Sequence, residues 1–348
     1  MLPYWIAFLI PVVSVYLSKQ ATSKNRPRLN LYGLFLILFI GLRHQVGGDW
    51  FSYLEGLDAV KYTPIDEIFS ARMDIGYYLV NKFSLAIGFD IYGVNLICAA
   101  IFTIGLLSLS RNQPYPWLAI VVSMPYFVTV VAMGYTRQAT AIGLLMFGFI
   151  YLLQGRTKSY LLIVLMAASF HKTAIVFAVF LLFRPGRSNL IYFLGVVLLL
   201  ISTVGAILAD EAEFLIRHYV EQNMESAGGP IRVIMNIPPA IILFIFWKKW
   251  GIIYNDRWLW GLVAILALLC VPAVFVASTS IDRMALYLIP LQLVVWARLP
   301  VLLQNRLSRN WIFLMVVVYY SIVLNVWLVY GNWSSLWIPY DNVIIPSL

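Results

Sequence analysis

The chain has 348 residues, of which 62% are hydrophobic and only 11% charged, and its mean hydropathy is +0.87. That composition excludes an ordinary soluble globular domain and makes lipid the expected solvent. The formal charge of +9 does not mark a nucleic-acid binder, because the basic residues stand in ones and twos between apolar runs and form no patch or basic helix.

A helix needs roughly 20 apolar residues to cross the hydrocarbon, and fewer where the bilayer thins or neighbouring helices shelter it. The opening run from Met1 to Gln20 has no basic leader and no small-residue cleavage site, so it reads as a transmembrane helix and not a signal peptide. In chain order, spans are expected near 3–18, 29–42, 91–110, 116–133, 138–153, 159–170, 173–183, 189–208, 232–247, 258–277, 283–297 and 310–329. That makes about twelve crossings of an all-α membrane protein. The stretch 74–89 carries Asn81 and Lys82 among apolar residues and reads as a helix lying at the interface. Residues 1–348 then form one polytopic domain with outer-face loops at 43–90 and 209–231, and no internal repeat is visible. Tyr4, Trp5, Trp247, Trp250, Trp258, Trp260, Trp333 and Trp337 cluster near the proposed helix ends, at headgroup level. Cys98 and Cys270 fall within apolar segments, far from other thiols or histidines, and read as packing residues.

Lys and Arg set the orientation. If the first span runs outside to inside, one face collects Lys19, Lys24, Arg26, Arg28, Arg111, Arg156, Lys158, Arg184, Arg187, Lys248, Lys249, Arg257, Arg298, Arg306 and Arg309. Only Asp256 opposes them there, so the positive-inside rule makes that face cytoplasmic and puts both termini outside. The acidic loops 49–74 and 209–225 fall on the other face. Residues 159–183 are the critical segment. Read as one helix, they would invert every later loop and put Lys248 and Lys249 outside, against the charge rule. Two short helices meeting at His171-Lys172 are expected instead, with exposed backbone that must be buried in protein or line a wet cavity.

On that outer face lie Arg43, His44, the Gly47-Gly48-Asp49 turn, Tyr53, Arg137-Gln138, His171-Lys172, Arg232 and Asp282-Arg283. An ionisable side chain within the apolar boundary costs about 2.5–3.5 kcal/mol unless paired or hydrated, which makes such residues functional candidates. Arg43, Arg137, Lys172, Arg232 and Arg283 lack an equal number of nearby carboxylates and would attract a large anion such as a pyrophosphate. There is no DxD pair or carboxylate cluster for Mg²⁺, so no metal and no cofactor is expected. His171 could accept a proton from a sugar hydroxyl, and Asp49 is the other candidate base. Plainer readings stand beside these. A single arginine at a helix end can be snorkelling, a lone histidine structural, Asp49 a turn residue, and Asp282 a neutraliser of Arg283. Glu221 and Glu225 read as a solvated helix face.

Taken in order, these residues resemble the EpsG-like branch of the Wzy O-antigen and exopolysaccharide repeat-unit polymerases. The resemblance rests on Gly41-Leu42-Arg43, Val46-Gly47-Gly48-Asp49 and Tyr53, Arg137-Gln138-Ala139, and Ser169-Phe170-His171-Lys172-Thr173-Ala174. It continues through Arg232, Asp282-Arg283 with Tyr287, and Trp337-Ile338-Pro339-Tyr340. Gly48 departs from the family pattern, which more often has a small hydroxyl residue before the aspartate. The resemblance implies polymerisation of undecaprenyl-pyrophosphate-linked oligosaccharides at the outer leaflet of a bacterial inner membrane, on a fold similar to GT-C glycosyltransferases. A Wzz-like chain-length regulator is an expected partner. Tyr53, Gln138, Asp282 and Tyr340 are then candidates for sugar contacts. A flippase for the same lipid-linked sugar and an O-antigen ligase are the alternatives.

Overall fold

The computed structural model describes residues 1–18, 26–67, 74–183, 229–275, 278–303 and 308–344, with 195 and 198. Among these residues the regular structure is helical, apart from one antiparallel bridge between Arg43 and Asn342. The chain begins with α1 (Leu2–Leu17) and α2 (Arg26–Gly41), followed by α3 (Trp50–Tyr62) and α4 (Ile75–Ala86). Next come α5 (Asp90–Arg111), α6 (Pro116–Ser123), a π-helix over Met124–Ala132, α7 (Thr136–Leu153) and α8 (Thr157–Phe170). A 3-10 helix spans Lys172–Leu181. The second half holds α9 (Gly229–Ile234), α10 (Ile237–Ile245), α11 (Trp247–Ile253), α12 (Arg257–Ala273), α13 (Ser278–Leu286), α14 (Pro290–Leu302) and α15 (Arg309–Tyr330).

Helices α5, α7 and α15 are each long and apolar enough to cross a membrane. Two bent pairs bring the number to five if each counts as one span: α9–α10 with α11, bent by 75°, and α13 with α14, bent by 47°. Five shorter apolar segments accompany them, so the described residues support a multi-pass helical protein with three to five spans by length and composition, fewer than the expected twelve. The expected span 189–208, apart from residues 195 and 198, and nearly all of the loop 209–231 lie outside the described residues.

The core is built on close helix contact. A Cβ on Gly143 of α7 would sit 2.5 Å from the Phe102 Cα of α5, so the two backbones touch where Gly105 and Gly143 face each other. Small residues at such a crossing let dispersion and main-chain contact replace the missing hydrophobic drive between helices in lipid. The expected break in 159–183 is present. His171 is extended, at φ −154° and ψ 107°, and separates α8 from the 3-10 helix. A 3-10 run of ten residues is long for its kind.

Two elements differ from the sequence expectation. Residues 50–62, expected as loop, form helix α3. Arg283, expected at the start of a span, lies in the last turn of α13, and the chain bends beyond it before α14 begins.

Two polar clusters lie at opposite ends of the bundle. One surrounds the start of α7 and the break after α8. The other joins Asp256 at the start of α12 to Arg298 near the end of α14 and Gln113 after α5. There the Asp256 carboxylate takes bonds from Arg298 Nη1 at 2.7 Å and Nη2 at 2.6 Å, and from the indoles of Trp250 at 3.1 Å and Trp260 at 2.9 Å. The Arg298 guanidinium also lies over the rings of Trp250 and Tyr254.

Candidate active site

The Gly47-Gly48-Asp49 turn follows α2 and is fixed from two sides. Gly47 has φ +113°, and a Cβ there would collide with the Met133 carbonyl, so only glycine fits. Gly48 has more room, its nearest neighbour being the Trp337 ring at 3.7 Å from a built Cβ. The segment after α15 docks beside this turn. Gly47 N–H donates to Leu336 O at 2.9 Å, His44 N–H to Asp341 O at 3.0 Å, and Val343 N–H to Leu42 O at 3.0 Å. Tyr4 of α1 donates to Trp337 O at 2.7 Å, and the Trp337 indole donates to Thr129 O of the π-helix at 2.7 Å.

The Trp337 ring therefore touches both the Asp49 turn and, through Gly134, the turn that opens α7. Trp337→Ala is expected to cost about 3–5 kcal/mol of stability, the usual range for a buried tryptophan. Trp337→Phe, which keeps an aromatic ring but loses part of the indole and its hydrogen bond to Thr129 O, should cost about 1–3 kcal/mol. Thermal unfolding in detergent measures both, and equal midpoints for wild type and Trp337→Ala would refute this role.

Arg43 corrects one expectation. It is 1% exposed, and its donors serve the protein itself: Nε to Val46 O at 3.0 Å, Nη1 to Ile40 O at 2.6 Å, and Nη2 to Asn95 Oδ1 at 3.3 Å and Thr136 Oγ1 at 2.9 Å. It pins the turn to α5 and α7 and turns these donors inward. Tyr340 is also spent on structure, donating to Phe39 O at 2.8 Å and stacking on the Phe39 ring.

The remaining candidates converge around the start of α7. Arg137 is exposed and bonds the Asp74 carboxylate at 2.9 Å, with its guanidinium over the rings of Tyr53 and Tyr77. Gln138 is buried and donates to Arg283 O at 2.6 Å, which ties α7 to α13. Lys172 and Arg283 are exposed, and His171 and Asp49 are half-buried among them. The charges of Arg137, Lys172 and Arg283 all act on His171, and those of Arg283 and Arg137 act on Asp49. Among the described residues, Arg283 and Asp49 have no side-chain hydrogen bond or ion pair, and neither does Nε2 of His171.

Burial pushes the Asp49 carboxyl above the usual carboxylate range, and Arg283 and then Arg137 pull against that rise. Asp74 is raised for the same reason, against the opposing pull of Arg137 and Lys172.

The five cations, expected with fewer carboxylates nearby than their own number, have a carboxylate partner at two positions. Arg137 pairs with Asp74, and Arg232 pairs with Asp282 through two hydrogen bonds, one of 2.6 Å from Nε and one from Nη2. Asp282 thus answers Arg232 and not its neighbour Arg283 as the plainer sequence reading had it. Sequence reasoning also missed Asp74, Thr173 and Tyr135, the last a half-buried phenol on which the charges of Arg232, Asp282, Asp49 and Arg283 act. Asp74 is 63 positions from Arg137, and no local pattern announces that pairing. The π-helix before Tyr135, a form found disproportionately at functional sites, leaves no periodic signature in a segment buried all round.

Fold and site together define a multi-pass helical membrane protein with a cationic, histidine-containing cluster where helix ends meet. The profile described as EpsG family matches residues 29–342, nearly the whole chain, and the protein belongs to the EpsG family, a Wzy-like polymerase family. No curated protein and no solved structure matches it. Membership points to a polysaccharide-polymerase role, glycosyltransferase-like in kind, on a lipid-linked sugar in general.

Proposed function

We propose that the protein polymerises undecaprenyl-pyrophosphate-linked oligosaccharide repeat units into O-antigen or a related surface polysaccharide. The observation that carries this reading is the exposed, uncommitted Arg283 beside exposed Arg137 and Lys172, with half-buried His171 and Asp49 in the field of those charges. In the proposed reaction, His171 takes the proton of the acceptor sugar hydroxyl as its oxygen attacks the anomeric carbon of the donor. The bond from that carbon to the pyrophosphate breaks with inversion. The pyrophosphate leaves with the bonding electrons toward Arg137, Lys172 and Arg283, whose permanent charges stabilise it. Tyr53, Gln138 and Asp282 line the approach, while Arg43 and Arg232 hold the frame.

The reading includes a single domain of about twelve crossings, similar in architecture to GT-C enzymes and placed in a bacterial inner membrane. Bent and half-length apolar helices support the extra crossings, since each can traverse part of a bilayer when sheltered by neighbours. The charge asymmetry of the loops supports a periplasmic site, where a chain-length regulator of the Wzz kind would act on the same product.

Cells that depend on this protein for their polymer supply the test. Arg137→Ala and Arg283→Ala should each abolish polymer at normal protein level, and wild-type polymer from both would sink the proposal. Asp49→Asn separates charge from structure at the second candidate base. Burial outweighs the attraction of Arg283 and Arg137 for the Asp49 carboxylate, so the neutral side chain should fold at wild-type yield. Polymer from that variant should fall by less than from a His171 variant. A larger loss would move the base role to Asp49.

A further inference from the structure

His171 is held by two hydroxyls whose geometry restricts where its proton can sit. Nδ1 lies 2.7 Å from Thr173 Oγ1 and 3.0 Å from the Tyr287 hydroxyl, and the two hydroxyl oxygens are 3.1 Å apart. Three polar atoms in mutual contact form three short approaches. With each hydroxyl hydrogen aimed at a single partner, an unprotonated Nδ1 leaves one of the three approaches without a hydrogen between its two polar atoms. With a hydrogen on Nδ1, that hydrogen is shared between Thr173 and Tyr287, and a hydroxyl hydrogen covers the third side.

Packing fixes the clamp. Tyr287 is 2% exposed in the bend after α13, its ring centroid 5.1 Å from that of Phe177 on the 3-10 helix. Tyr160 of α8 in turn donates to Phe177 O at 2.7 Å. The charged groups acting on the assembly are Arg137, Lys172 and Arg283 on the imidazole and Asp74 on Tyr287. Tyr287 also lies four residues beyond Arg283, so the last turn of α13 carries a cation of the site and the bend after it carries the clamp on the histidine.

We infer that Thr173 and Tyr287 are positioning residues that hold His171 as its Nδ1–H tautomer and leave Nε2 as the proton acceptor; this rests on the reading of His171 as general base. In the reaction the acceptor hydroxyl's proton passes to Nε2, and the resulting imidazolium keeps its Nδ1–H on the two hydroxyls. No further reactant is needed.

The test is ¹⁵N spectroscopy of the full chain, labelled at its three histidines and held in lipid nanodiscs, with the His171 signals assigned by difference from His171→Gln. Wild type should show a protonated Nδ1 and a bare Nε2. In the Thr173→Val/Tyr287→Phe double variant Nδ1 has no acceptor, and the proton should move to Nε2. Turnover on lipid-linked repeat units should fall at least about 10-fold with KM within about twofold, and Thr173→Ser alone should retain both tautomer and rate. An Nε2–H tautomer in wild type, or an unchanged tautomer in the double variant, overturns the inference. A wild-type Nδ1–H tautomer combined with undiminished polymerisation by His171→Gln overturns the base reading alone.

Discussion

His171→Asn is expected to slow chain extension by about 10²–10⁴-fold, the range associated with loss of a positioned general base. Asparagine can still hydrogen-bond Thr173 but has no lone pair able to take a proton near neutral pH. The break itself should survive, because it is held by main-chain bonds, His171 N–H to Ala167 O at 3.0 Å and Ala174 N–H to His171 O at 2.9 Å. Membrane insertion and protein level should therefore match wild type while polymer length collapses. Rates from purified protein measure the effect, and a loss below about 10-fold would remove His171 from the proton-transfer role.

The second large effect lies at the other end of the bundle and concerns folding. Arg298→Ala should destabilise the protein by about 3–5 kcal/mol, because it strands a buried carboxylate. Asp256 is 7% exposed and Arg298 5% exposed, and the arginine supplies two of the four side-chain donors on that carboxylate. It also bonds Gln113 Oε1 at 2.8 Å, so one guanidinium joins α14, the start of α12 and the turn after α5. The indoles of Trp250 and Trp260 remain in the variant but cannot neutralise the charge. Total stabilities of about 5–15 kcal/mol leave little margin for such a loss. Thermal unfolding in detergent should show an earlier transition, and Arg298→Met/Asp256→Leu should recover part of the deficit by removing both charges. Molecules of either variant that do fold should retain the specific activity of wild type, since the active cluster is at the opposite end.

Part of this organisation is legible in the sequence, and the reason is physical. Apolar runs announce membrane helices because lipid imposes one requirement on every residue of a run. The helix break at His171-Lys172 is legible because a polar pair interrupts an apolar stretch and the loop charges fail to sort without it. Helix α3 is not legible: Glu55, Asp58 and Lys61 among apolar neighbours resemble any polar loop, and only packing of Trp50, Tyr53, Leu57 and Val60 against the bundle orders it.

The outer cations illustrate the same limit. Arg43 and Arg137 look alike in sequence, each at a helix end beside apolar residues. One is sealed among carbonyls and the hydroxyl of Thr136, and the other stands exposed against Asp74. That difference comes from the docked segment after α15 and from contacts made across the whole chain, such as Trp337 to Thr129 and Tyr4 to Trp337. Local pattern finds candidates, but distant packing decides which of them keep their donors for a ligand.

The most direct test of the central claim uses purified protein in lipid nanodiscs with lipid-linked repeat units and no other factor. Gel separation of the products should show a ladder of lengthening chains from wild type and none from Arg283→Ala. Unchanged donor with wild type, redistributed between leaflets when the protein is placed in vesicles, would mean a flippase, and transfer only to lipid A core would mean a ligase. Either result would contradict the account.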